Sequence, residues 1–156
     1  MKKNNTSFIN EASEEIYLQT YKFHGDESRK ADDDINDTHF RVANDLSQNE
    51  DNKEKVTNDF LTILEDFSFM PGGRITSNAG TGLKGTTYIN CFVDGFTGES
   101  QDSMEGILDT LRRQALILKS EGGYGFNSDV MRPKGAYIGG IGNESPGSVE
   151  MLDMWD

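Results

Sequence analysis

Sixteen of the seventeen glycines in this chain follow Pro71. Glycine lacks a Cβ and enters backbone conformations closed to other residues, so a glycine-rich stretch folds as short segments joined by tight turns. Before Pro71 only Gly25 interrupts the chain. The sequence therefore predicts two regions of different texture: a helical region over 1–68, and a region of short strands and helices over 69–156. Together they read as α/β.

The first region begins with a polar stretch, Met1–Asn10, expected to fray. Glu11–His24 is a helix candidate with an imperfect stripe of Ile16, Tyr17, Tyr21 and Phe23. Gly25–Asp37 is charged and reads as a solvated loop. Its three carboxylates Asp32, Asp33 and Asp34 point different ways and do not converge on an ion. Asp37–Ser47 is expected as a helix capped by Asp or Thr, and Phe60–Phe67 as a short one. The isolated His24 and His39 read as surface or satisfied core histidines rather than ligands. In the second region Thr86–Val93 is rich in β-branched and aromatic residues and reads as a strand. Gly95–Gln101 is a loop. Asp102–Ser120 has the best helical spacing in the chain, capped by Asp102 or Ser103 and ended by Gly122-Gly123. Gly125–Val130 is a second strand candidate. Met131–Ser148 is a glycine-rich loop, and Val149–Asp156 opens another apolar segment.

A net charge of −12, from 27 acidic and 15 basic residues, excludes a general grip on DNA or RNA. It leaves anionic small molecules open, because backbone amides bind phosphate without net positive charge. No apolar run approaches the roughly 20 residues of a membrane span. The start has no signal-peptide core, and the single cysteine suits a reducing compartment. A cytoplasmic protein is expected, in the host cytoplasm if a phage encodes it.

Four features carry chemistry. Cys91 is either a buried core thiol or a redox thiol, and a redox thiol needs a partner from another polypeptide, since the chain has one cysteine. Asp102 is either a simple cap or a carboxylate that accepts hydrogen bonds from a ribose. Glu121–Asn127 (EGGYGFN) holds glycines after a helix rather than before one, so it fails the dinucleotide fingerprint. It serves either a tight turn or a close approach to a ligand. Arg132 is either an ordinary surface arginine or a bidentate phosphate partner.

Taken in order, FMPGGRITSNAGT (Phe69–Thr81), YINCFV (Tyr88–Val93), DSMEGILDTL (Asp102–Leu111), EGGYGFNSDVMRPKGAYIGGIGNESPG (Glu121–Gly147) and the final MLDMWD resemble the catalytic chains of ribonucleotide reductases. EEIYLQTYKFHG and DDINDTHFRVA resemble the family's N-terminal helices, most of all those of the adenosylcobalamin-dependent class II. The resemblance implies the first strands and helices of a ten-stranded α/β barrel, incomplete here, preceded by a helical segment. It implies reduction of the ribose 2′-hydroxyl by a thiyl radical, with two further cysteines supplying electrons.

By position, the resemblance makes Cys91 the first cysteine of that reducing pair. It places Asn90, Gly122 and Gly123 on the wall facing the nucleotide, and Ala79, Gly80 and Thr81 near the substrate phosphate. Asp102, Ser103 and Met104 fall at the specificity site for a deoxynucleoside triphosphate (dNTP) effector, with Arg132 on its phosphates and Ile138–Ser148 as its first flexible loop. No metal ligand is assigned. Implied partners are the C-terminal remainder of the catalytic chain, a thioredoxin-type reductant, and a second copy pairing through the Asp102–Ser120 helix. The chain is expected to be an N-terminal fragment from a split, intein-interrupted or truncated gene, inactive alone. The alternatives are a non-catalytic nucleotide-binding module or a gene remnant.

Overall fold

The computed structural model describes residues 8–95 and 101–155. The expectations for the first seven residues and for most of the Gly95–Gln101 loop lie outside them. The chain divides into two compact units, Met1–Asn90 and Cys91–Asp156. The change of texture at Phe69 falls inside the first unit.

The first unit is helical. α1 (Glu11–Ile16) starts under the Asn10 side chain, which accepts from Ser13 N at 2.8 Å, and runs into a π-helical turn, Tyr17–Tyr21. The helix thus stops short of His24, where the backbone has turned extended at Lys22. α2 (Ile35–Leu46) begins two residues before the expected Asp37, because the Asp34 carboxylate accepts from Asn36 N and Asp37 N and caps the earlier turn. α3 (Lys53–Glu65) is longer than the apolar stretch that announced it. Its first turns are polar, and Asn52 caps them by accepting from Lys55 N at 3.1 Å. α4 (Gly73–Asn78) was not anticipated. The core joins Val42 and Ala43 of α2, Leu61 and Leu64 of α3, and Ala79, with Phe60 and Ile75 packed against it.

The second unit contains a β–α–β arrangement. β1 (Cys91–Asp94) and β2 (Gly123–Phe126) pair in parallel, with Cys91 opposite Gly123 and Asp94 opposite Phe126, and α5 (Met104–Lys119) connects them. The expected strand from Thr86 shrinks to its last residues. Upstream, polar groups are engaged locally: Asn78 Nδ2 donates to Thr87 O, Ile89 N to Thr87 Oγ1, and Arg74 N to Asn90 Oδ1. Such side-chain bonds compete with a strand ladder. The expected glycine loop contains a small antiparallel hairpin, β3 (Tyr137–Ile138) with β4 (Asn143–Glu144). α6 (Ser148–Leu152) and a 3₁₀ turn, Asp153–Trp155, follow. A second core joins Ile107 and Met131 with Phe126, Met151 and Trp155, and the Phe126 and Trp155 rings stack at 5.0 Å.

α5 ends in a way the sequence did not suggest. Gly122 N donates to Ile117 O and Glu121 N to Leu118 O, the bond pair of a Schellman motif. The left-handed position is taken by Glu121, at φ +67, and not by a glycine. The architecture is mixed helix and strand, an incomplete barrel with no closed sheet among the described residues. Among these residues no helix is long and apolar enough to cross a membrane.

Candidate functional site

Cys91 is the first residue of β1, and its thiol is exposed. Strand pairing fixes the cysteine's backbone, and its side chain is exposed among the described residues rather than packed into either of the two cores. Across the ladder stands Gly123, and next to it Gly122 is buried beneath Phe92. A Cβ on Gly122 would lie 2.6 Å from Phe92 Cε2 and 3.0 Å from Ile117 Cγ2. Gly122 therefore serves a close approach rather than an unusual backbone angle. Gly122→Ala is expected to cost about 1–3 kcal/mol by overpacking. A chemical denaturation midpoint unchanged from the parent would refute this reading of Gly122.

The far end of β1 is tied down by groups that sequence reasoning missed. Arg113 of α5 donates from Nε to Asp94 Oδ2 at 2.6 Å and from Nη2 to Gly95 O at 2.7 Å, while the Tyr124 hydroxyl donates to the same carboxylate at 2.8 Å. Burial pushes the Asp94 carboxyl up, but these donors outweigh it and hold the group below its usual range. Burial, and then the Asp94 carboxylate, push the Tyr124 phenol up to about 12. No motif signals this cluster, because its three residues come from β1, α5 and β2.

In the first unit, Ala79 and Thr81 are fully buried and Gly80 is exposed. Ala79 N donates to Ile75 O, and Thr81 donates to Asn78 O from both its N–H and its hydroxyl. Gly80 and Gly82 take positive φ, +71 and +67. Beneath this turn lies a buried ion pair. Arg41 Nη2 meets Asp32 Oδ2 at 3.0 Å, with side chains 10% and 5% exposed. Asp32 also accepts from the Thr38 hydroxyl at 2.6 Å and from Phe23 N at 3.1 Å, and Thr38 in turn bonds the Tyr17 hydroxyl at 2.9 Å. Asp32 therefore does not belong to a solvated loop, as its sequence neighbourhood suggested. Burial raises its carboxyl, but Arg41, Thr38 and the Phe23 N–H together hold it below the usual range. Asn90 sits against Gly72 and Arg74, accepting from Arg74 N at 3.2 Å.

His39 is buried beside Phe67, its charged form is disfavoured by burial, and its Nδ1 has no partner among the described residues. It is a core histidine, though not a fully satisfied one. His24 Nε2 bonds Leu18 O at 2.9 Å.

The third group lies at the start of α5. Ser103 is the cap, accepting from Gly106 N at 3.1 Å. Asp102 instead holds Arg132: Arg132 Nε donates to Asp102 Oδ2 at 2.5 Å, Arg132 N to Asp102 Oδ1 at 3.2 Å, and Nη2 to Asp102 O at 3.2 Å. Arg132 also donates from Nη1 to Tyr137 O at 3.1 Å, so the same arginine ties the β3–β4 hairpin, which carries Ile138, to the helix start. The structure thus brings together two residues that lie thirty positions apart. Met104 is exposed on the first turn of α5.

Residues 89–156 match the family model described as ribonucleotide reductase, barrel domain. The chain is 32% identical over 113 residues to the ribonucleoside-diphosphate reductase subunit alpha of Helicobacter pylori, covering 72% of this chain and 14% of that protein. It is 35% identical over 104 residues to the ribonucleoside-diphosphate reductase large subunit of Trypanosoma brucei brucei, covering 63% of this chain and 12% of the relative. It is 34% identical over 99 residues to the vitamin B12-dependent ribonucleoside-diphosphate reductase of Thermoplasma acidophilum, covering 64% and 12%. The chain spans no more than 14% of the length of these curated relatives.

Proposed function

We propose that this chain, which belongs to the ribonucleotide reductase large-subunit family, forms the N-terminal part of a catalytic subunit that makes deoxyribonucleotides for DNA synthesis. The observation that carries this reading is an exposed thiol, Cys91, set on a strand opposite the Gly122–Gly123 main chain. A reducing thiol must be reachable by substrate and by an external reductant, and a buried one would be inert. In this reading Cys91 and a cysteine of the C-terminal part give up two electrons and two protons. The ribose 2′-oxygen leaves as water and a disulfide forms, which a thioredoxin-type reductant reopens. Asn90, Gly122 and Gly123 are assigned to the wall facing the nucleotide, and the Ala79–Thr81 turn to its phosphate.

Asp102, Ser103, Met104, Arg132 and Ile138 are assigned to the dNTP effector. The Asp102–Arg132 pair supports this, because it puts a carboxylate suited to a ribose hydroxyl beside a guanidinium suited to phosphate. α5 leaves Met104, Leu108, Leu116 and Leu118 exposed, 48–55% each, which favours pairing with a second copy. Adenosylcobalamin is proposed as the radical source, on the class II resemblance and the B12-dependent relative. Its binding is assigned mainly to the C-terminal part, and none of the described residues is given a role in holding it. No step is assigned through it, and cytoplasmic location is part of the same proposal.

The test is reconstitution. The chain, the C-terminal part and a radical source together are expected to yield deoxyribonucleotide, and the chain with the radical source alone to yield none. Product from the chain alone sinks the fragment reading. In calorimetry, dATP or dTTP is expected to bind the reconstituted protein, with Arg132→Ala weakening it by about 1.5–3 kcal/mol, the loss of a charge-assisted hydrogen bond. Unchanged affinity in Arg132→Ala removes that residue from the effector site.

A further inference from the structure

We infer that Arg41 and Arg29 are positioning residues that hold the Ala79–Gly82 turn in the shape that receives substrate phosphate, an inference that rests on the phosphate assignment of this turn proposed above. The two arginines grip the turn by its carbonyls. Arg41 donates to Ala79 O and, at 3.2 Å, to Thr76 O; Arg29 donates to Thr81 O. Each arginine is held in turn by a carboxylate, Arg41 by Asp32 and Arg29 by Asp26.

Peptide geometry gives the consequence. In a planar trans peptide the C=O of one residue and the N–H of the next point in opposite directions. With the Ala79 and Thr81 carbonyls drawn toward the guanidinium groups, the Gly80 and Gly82 N–H groups are directed away from them. Both glycines are exposed. Two alternate N–H groups aimed outward from a turn with positive φ form the kind of backbone concavity that binds anions. The Gly80 N–H is engaged by the Tyr88 hydroxyl, which itself donates to Asp45 at 2.7 Å, so at Gly80 a phosphate oxygen has to take the place of that hydroxyl, while the Gly82 N–H is the more direct donor.

Both glycines are also required by the arginines. A Cβ on Gly80 would lie 2.7 Å from Arg41 Cγ and 2.9 Å from Arg41 O, and one on Gly82 would collide with Arg29 Nη1. The turn, its glycines and the two arginines therefore form one unit. The arginines come from sequence some forty to fifty residues upstream, in segments with no motif of their own.

The test uses the full chain labelled with ¹⁵N and titrated with inorganic pyrophosphate, following the Gly80 and Gly82 amide resonances. In the parent, both are expected to shift on titration. Arg29→Gln, at a side chain 34% exposed and so tolerant of change, and Arg41→Lys, which keeps the charge but loses the fork, are each expected to weaken that response about tenfold. Amide exchange at Thr81 is expected to quicken in both variants, while exchange within α3 stays as in the parent. A response of parental strength in both variants overturns the positioning role and leaves the phosphate assignment standing. No response in the parent overturns the phosphate assignment, and the positioning role with it.

Discussion

Cys91→Ser in the reconstituted enzyme is expected to lower deoxyribonucleotide formation by about three orders of magnitude or more, equivalent to about 4 kcal/mol of transition-state stabilisation. Serine has nearly the shape of cysteine and the same place in β1, so the Cys91–Gly123 pairing should persist and the melting temperature should barely move. What serine lacks is an accessible one-electron and disulfide chemistry. The loss should appear in a single turnover without reductant as well as in steady state, because the reducing equivalents themselves are missing. A variant that still turned over with a dithiol at more than a few per cent of the parental rate would remove Cys91 from the reaction. Its exposure would then be incidental.

Asp32→Ala is expected to destabilise the first unit by about 3–5 kcal/mol, since it leaves the Arg41 guanidinium buried without its counter-ion. Thr38 and the Phe23 N–H lose an acceptor in the same step. Against a typical domain stability of about 5–15 kcal/mol, that is a large share. Urea unfolding followed by circular dichroism measures it, and a shift below about 1 kcal/mol would mean that water replaces the carboxylate at little cost. The same pair sets a pH dependence. The folded-state carboxyl is held below its ordinary value, so its stabilising contribution is complete above the usual carboxylate range. It is lost as the pH falls through that range toward the lowered folded value, where the folded form must also take up a proton. Asp32→Ala should flatten the acid limb of the stability profile over that interval.

Several features of the fold were legible locally. α2 and α5 announced themselves by apolar spacing and by capping residues close to the observed ones, and the βαβ order followed from a helical stretch between two strand-like runs. The limits of each element were less legible, because they depend on where polar groups find partners. Asp34 started α2 early, and Asn78, Thr87 and Asn90 diverted Thr86–Asn90 from the strand. α4 is six residues long and glycine-led, too short to show a period.

The order of the motif blocks, the single cysteine at position 91, the acidic balance and the placement of Asp102 and Arg132 thirty residues apart are properties of the sequence alone, and with them comes the family relationship. Only tertiary structure decided that Cys91 is exposed, that Gly122 is glycine because of Phe92 and not because of its backbone angle, and that Arg132 closes on Asp102. It also decided that Asp32, one of three adjacent aspartates, is buried on Arg41 while its charged neighbourhood suggests solvent. The physical reason is range. Propensity, capping and glycine content act over a few residues, whereas burial and ion pairing join groups from elements far apart in the chain, and their energies depend on the water those elements exclude together.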